Sequence, residues 1–254
     1  MNGTIRYTIR PYDTIWMLAQ VFNTTVDSIV ELNPGIDPKN LQVGQVISIR
    51  PGYTSAPSEF DNDDPVDDNE PAAEPDDVTR MFMDLTNYFR LLWEQHTTWT
   101  SKAITAILND LPATDAIVQR LLRNPEDFAN AMAPFYGEEA ADNFAGLLTQ
   151  HINLAADMVR AAGTGDSTAY RNARQDWYQN ADQMASLLAS INSNWSEDDW
   201  NAMLDEHLRL LEAYITDMVS GNYEDSVNLY DALELQALEM ADMMAEGINK
   251  EFFD

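Results

Sequence analysis

Ile5-Arg6-Tyr7-Thr8-Ile9-Arg10 runs straight into Pro11-Tyr12-Asp13-Thr14-Ile15-Trp16, and the change of rhythm between the two stretches decides the fold of the N-terminal part. In the first, Ile5, Tyr7 and Ile9 alternate with Arg6, Thr8 and Arg10, the period of a strand with one buried face. Pro11 and Tyr12 end that strand. Asp13 is a good N-cap for a helix whose apolar positions Ile15, Trp16, Leu18, Ala19 and Phe22 follow helical spacing. Asn23 and Thr24 break the pattern, and Thr25 caps a second short helix carrying Val26, Ile29, Val30 and Leu32, stopped by Asn33, Pro34 and Gly35. Val43 and Gly44 lead into a second strand, Val46 to Ile49, closed by Pro51. The expectation is a small α+β module of order strand, helix, helix, strand within residues 1–51.

Outward from this module, charge divides the chain of 254 residues, net charge −29, into three. Residues 1–51 hold four basic and four acidic side chains. Residues 52–78 hold ten acidic side chains, no Lys or Arg, and prolines at 57, 65, 71 and 75. So little apolar surface and so much like charge predict a disordered, extended linker. Residues 79–254 carry ten basic and 29 acidic side chains and long apolar periodicities near 3.6, the pattern of an all-helical domain. The overall fold class expected is thus multidomain: the α+β module, the acidic linker, and an all-α bundle of repeated helical hairpins.

The acidic balance disfavours nucleic acid and anionic lipid as partners. The chain has no cysteine, which excludes disulfides, thiolate metal sites and cysteine nucleophiles. No apolar stretch reaches membrane-spanning length and Met1 to Arg10 lacks the apolar core of a secretory signal, so no membrane span and no signal peptide are expected. The expected location is the cytoplasm of the producing cell, with an end point at the cell wall or in a spore coat or cortex.

Tyr7-Thr8-Ile9-Arg10-Pro11-Tyr12-Asp13-Thr14-Ile15-Trp16, Leu32-Asn33-Pro34-Gly35-Ile36 and Leu41-Gln42-Val43-Gly44-Gln45-Val46-Ile47 together resemble the LysM family over nearly the whole module. The resemblance implies binding of N-acetylglucosamine units of peptidoglycan or chitin in a shallow groove between two loops. Those loops fall here at Tyr12, Asp13, Thr14 and Ile15, and at Asn33, Pro34, Gly35, Ile36 and Asp37. By the same resemblance, backbone groups of the loops bond the acetamido group, while Ile15 and Ile36 pack against its methyl group and the sugar face. The chain departs from the commonest pattern at Tyr12, where Gly usually precedes Asp-Thr. Asp13 as a cap and Pro34-Gly35 as a turn are structural assignments that coexist with binding.

In the C-terminal part, helices are expected near 79–109, 113–133, 137–162, 167–190, 197–219 and 223–249. Leu147-Leu148-Thr149-Gln150-His151 parallels Met203-Leu204-Asp205-Glu206-His207, with a weaker copy at Leu92-Trp93-Glu94-Gln95-His96; the offset continues from Gly165 to Gly221 and Met184 to Met240. The simplest account is three helical hairpins built from one unit. His96, His151 and His207, the chain's three histidines, each lie on an apolar helix face. One reading pairs each with a buried carboxamide of its own repeat, His151 with Asn180 and His207 with Gln236, as buried polar groups require. The other brings the three imidazoles together as a metal or catalytic site, joined by a carboxylate such as Glu94, Asp182 or Glu239. The first is preferred, so no cofactor and no metal are expected. Met240, Met243 and Met244 read as core filler, and Trp195 and Trp200, close to a break at Ser193 to Ser196, as the tryptophans best placed for exposure.

Wall hydrolases are tested by their motifs. Three histidines about 55 residues apart fit no compact zinc-hydrolase motif, the Glu-x-x-His of di-iron bundles is missing, and no Gly-rich phosphate loop or lysozyme-like Glu-Ser start is present. The catalytic set is therefore empty and a noncatalytic protein is favoured. Leu92 to His96, Leu121-Leu122-Arg123-Asn124-Pro125-Glu126-Asp127-Phe128 and Ala237 to Asp242 resemble uncharacterised helical proteins of spore-forming bacteria, some labelled kinases, an activity these residues do not support. The helical domain is expected to self-associate or to recruit a protein partner.

Overall fold

The computed structural model describes residues 4–9, 15, 18, 19, 22, 24–38, 41, 42, 44–50 and 77–253, with the backbone alone for Asp27 and 77–81. Two units separate, Met1–Leu85 and Thr86–Asp254.

In the first, β1 (Ile5–Thr8) and β2 (Val46–Ile49) pair antiparallel, with Ile5 opposite Ile49 and Tyr7 opposite Ile47. Opposite partners share a face, so these four apolar side chains line one side of the sheet. Beyond β1 the pairing continues: Ile9 N–H donates to Gln45 O and Gly44 N–H to Ile9 O, both at 2.7 Å. Against this face lies Ile29 of α1 (Val26–Leu32), wholly buried together with Ile15, Leu18, Ala19 and Phe22, and with Ile36 and Leu41 partly buried around them. Thr25 caps α1 as its sequence suggests, its hydroxyl accepting from Ser28 N–H at 3.0 Å. Of the expected first helix, Ile15, Leu18 and Ala19 are helical and Phe22 stands in a turn; Asp13, Trp16 and the other residues of that segment lie outside the described residues, as does the acidic stretch 52–76.

The rest is helical: α2 (Asp77–Leu108), α3 (Thr114–Leu121), α4 (Asn124–Thr164), α5 (Ser167–Ile191), α6 (Glu197–Ser220) and α7 (Tyr223–Phe252). α4 packs along α5, α5 along α6, and α6 along α7. Gly165 and Gly221 end α4 and α6 in the left-handed conformation, φ 73° and 78°, which lets the chain reverse without a Cβ penalty. Asp166 and Ser196 then cap α5 and α6 with their side-chain oxygens.

Two expectations need correction. The single helix expected over 113–133 is divided at Leu122 and Arg123, because Pro125 has no N–H and its ring is tolerated only in the first turn of a new helix, here that of α4. The break expected near Pro134 to Gly137 is present inside α4, at Gly137 with φ 82° and ψ 166°. Trp195 and Trp200 are not exposed: they retain 2% and 0% accessibility. Proximity to a loop misled, since Trp195 folds back under α7, donating Nε1–H to Met243 O at 3.0 Å and meeting Trp200 edge to face at 6.1 Å. Met240 and Met244 are fully buried, in keeping with core filler.

Candidate functional site

In the N-terminal unit, the loop Asn33–Asp37 leaves the end of α1. Asn33 has φ −128° and ψ 69°, and its side chain acts as a strand partner for β2: Oδ1 accepts from Ser48 N–H at 2.7 Å, and Nδ2 donates to Ser48 O at 2.6 Å and to Ile29 O at 2.7 Å. Ile36 N–H donates to Asn33 O at 3.0 Å, closing a turn through Pro34 and Gly35, the latter at φ 90°. Pro34, Gly35 and Asp37 are exposed and Ile36 is half-buried against the core. Two roles change. The Asn33 carboxamide is spent on the scaffold, leaving only main-chain groups at that position for a ligand. Ile15 is 1% exposed, so its side chain is core and does not face a sugar. Tyr12, Asp13 and Thr14 lie outside the described residues.

In the helical unit the three histidines meet. His96 on α2, His151 on α4 and His207 on α6 are all buried, with ring centroids 5.9 to 6.5 Å apart, and one ligand nitrogen of each lies within 4.8 Å of the other two. They come together because each sits on the inward face of the first helix of a hairpin. Each is also held by a carboxamide further along the chain, at the start of α4, on α5 and on α7: Nδ1 of His96 lies 3.1 Å from Asn124 Oδ1, that of His151 3.1 Å from Asn180 Oδ1, and that of His207 2.9 Å from Gln236 Oε1. The carboxamide NH₂ groups donate in turn to the carbonyls of Leu92, Leu147 and Met203, each four residues before its histidine. With the amide nitrogen facing a carbonyl, its oxygen must face the ring, so Nδ1 carries the proton in all three rings and Nε2 keeps the lone pair.

The two sequence readings are therefore not exclusive: the carboxamide pairs exist, and the rings converge as well. The carboxylate partners do not join them, for Glu94, Asp182 and Glu239 are exposed. Asn124 was not singled out from sequence, although its distance of 28 residues from His96 matches the 29 of the other two pairs. Around Nε2 the rings differ. Trp177 Nε1–H donates to His151 Nε2 at 3.1 Å, whereas His207 Nε2 is buried without a hydrogen-bond partner among the described residues. Desolvation pushes all three imidazoles down, His96 to about 3, with the neighbouring His207 adding to the shift, and His207 to about 4; the carboxamides oppose it. His151 is lowered by burial and then by His96 and His207. The cluster is neutral at physiological pH.

Beside His96 and His151 opens a cavity of about 20 Å³, lined also by Thr100, Ala103 and Leu211. Thr100 Oγ1 is buried and has no hydrogen-bond partner among the described residues.

Among known proteins, residues 7–50 match the model of the LysM domain. A secreted LysM effector, ELP2, of Colletotrichum higginsianum is 45% identical over 48 residues, which cover 19% of this chain and 27% of that protein. The chain thus spans about a quarter of the relative's length. No solved structure matches the chain. The N-terminal strand–helix–strand unit, with its loop Asn33–Asp37 pinned to β2, is a LysM domain.

Proposed function

We propose that this protein is a noncatalytic glycan-binding protein whose LysM domain holds N-acetylglucosamine units of peptidoglycan or chitin. The observation that carries the reading is the LysM match over residues 7–50. The name of the fungal relative as a LysM effector agrees with it. The ligand lies between Tyr12, Asp13, Thr14 and Ile15 on one side and Asn33, Pro34, Gly35, Ile36 and Asp37 on the other. Main-chain groups of the second loop serve the acetamido group and Ile36 the apolar face of the sugar, with Ile15 supporting its loop from beneath. A shallow groove binds weakly alone, and residues 79–254 supply avidity by self-association or by recruiting a protein partner, at the far end of an acidic spacer over 52–78. The recurrence of one His–carboxamide–carbonyl arrangement at three places supports descent of this domain from a repeated hairpin. A bacterial cell wall or spore envelope is the proposed setting.

The test is sedimentation of the full chain with insoluble chitin and with purified peptidoglycan, with soluble N-acetylglucosamine oligomers as competitors. Retention on at least one polymer, released by the oligomers, is expected, and the polymer retained assigns the glycan. A chain that stays in the supernatant with both polymers overturns the proposal.

A further inference from the structure

We infer that His96, His151 and His207 form a site for one first-row transition-metal ion, with zinc the best fit, bound by three imidazole nitrogens and one small exogenous ligand such as water or hydroxide. This is independent of glycan binding.

The donor set comes first. Three imidazoles from three helices, in a chain without cysteine and with no carboxylate among the described residues in the cluster, match the preferences of zinc and its first-row neighbours rather than those of calcium or magnesium, which require oxygen. The rings are oriented for this task. Each Nδ1–H is engaged by a carboxamide that is itself anchored to a main-chain carbonyl, the kind of outer hydrogen bond that fixes the tautomer and aim of a ligating histidine. A purely structural carboxamide pair accounts for the Nδ1 side of each ring. It does not account for the three rings meeting, nor for the buried lone pair of His207 Nε2 left without a partner.

The dimensions are also suitable. If the ligand nitrogens stood at the corners of an equilateral triangle of 4.8 Å edge, its centre would lie about 2.8 Å from each. Ligation at about 2.0 to 2.1 Å then draws each nitrogen inward by roughly 0.7 Å, within reach of side-chain adjustment. A cavity of about 20 Å³, the size of about one water, borders His96 and His151, though not His207, and offers room for a fourth ligand. Thr100, whose hydroxyl lacks a partner, lines that cavity and is the group available to bond a metal-bound water or hydroxide. A hydroxide there would also halve the charge that a dication brings into an apolar core. Metal binding takes the His151 lone pair from the Trp177 indole, so binding carries its own optical signal.

The experiment strips the full chain with chelator and titrates it with Zn²⁺ in excess Mg²⁺, which occupies the acidic surface. Expected are one equivalent bound tighter than micromolar, a change in tryptophan emission at the same stoichiometry, and affinity lower by about two orders of magnitude in H151Q and H207Q. Co²⁺ in place of Zn²⁺ should give the intense visible absorption of a four-coordinate ion. X-ray absorption on the zinc-loaded wild type should show imidazole scattering and a shell at about 2.0 Å, a result that requires no variant to fold. Failure of Zn²⁺ and Co²⁺ to bind stoichiometrically, or a first shell of oxygen alone, overturns the inference.

Discussion

Trp177 Nε1–H donates to His151 Nε2 across 3.1 Å, and neither of the other two histidines has an indole in the equivalent place. Trp177 stands three residues before Asn180; three residues before Asn124 and Gln236 stand Leu121 and Leu233. One of three otherwise alike rings therefore has hydrogen bonds at both nitrogens. Trp177→Phe removes the donor and part of the ring, leaving a lone pair and a void in the core. Stability without metal should fall by about 2 to 3 kcal/mol in chemical denaturation. Zinc affinity, measured on the same variant, should rise, because no indole then competes for the lone pair.

The carboxamides are the next test. Gln236→Leu keeps roughly the volume but strands the buried His207 Nδ1–H and takes from the Met203 carbonyl the side-chain donor it has besides its helical bond, at an expected cost of about 3 kcal/mol. Asp242→Asn, which weakens the exposed bidentate pair with Arg90, should cost less than about 1 kcal/mol. Urea midpoints of the two variants, compared at equal slope, check the contrast.

Acid should weaken the helical domain in a window set by the buried imidazoles. Their folded pKa values lie below the ordinary 6.5, at about 4 for His207 and about 3 for His96. As pH falls through 6.5 the unfolded chain takes up protons that the folded chain refuses, so stability is fully present above 6.5 and declines toward 4. His207 alone contributes a loss on the order of 3 kcal/mol across that window. Denaturation with chelator present, at pH 7.5, 6 and 5, should show the decline; a flat profile would mean that the rings accept protons in the folded state.

Much of this was legible in the sequence, and what was not has physical causes. Alternation of Ile5, Tyr7 and Ile9 and the cap at Thr25 are local patterns, and local patterns mark strands and caps directly. The partners of His151 and His207 were legible because a repeated offset ties a histidine to a carboxamide. Convergence of the three rings was not, because periodicity tells which face is buried and says nothing of how three hairpins rotate about a common axis. Asn124 was hidden by the expectation of one helix across 113–133, which obscured that the first hairpin's return helix starts anew there. Trp195 was misplaced because accessibility next to a loop depends on what folds over it, here α7.

That close approach gives a sharp contrast between two glycines. A Cβ on Gly247 would stand 1.9 Å from Trp195 Nε1, so Gly247→Ala must displace a buried indole and its bond to Met243, costing about 3 kcal/mol. Gly146, inside α4, has open space around its position, and Gly146→Ala should stabilise by about 0.4 to 1 kcal/mol through helix propensity and a stiffer unfolded chain. Thermal melts of the two single variants should move in opposite directions.

In the LysM domain the decisive side chain is Asn33, whose two donor bonds and one acceptor bond join the loop Asn33–Asp37 to β2 and α1. Asn33→Asp keeps the shape but sets a carboxylate oxygen against the carbonyls of Ile29 and Ser48, replacing two attractions by repulsion. The first unit should lose about 3 kcal/mol, while the melting of the helical unit, which forms a separate compact body, should not move. Retention on the glycan polymer should fall with the first transition, most at temperatures where that unit is partly unfolded. Retention lost well below that transition would instead mean that Asn33 meets the sugar directly, and would reassign its carboxamide from scaffold to ligand.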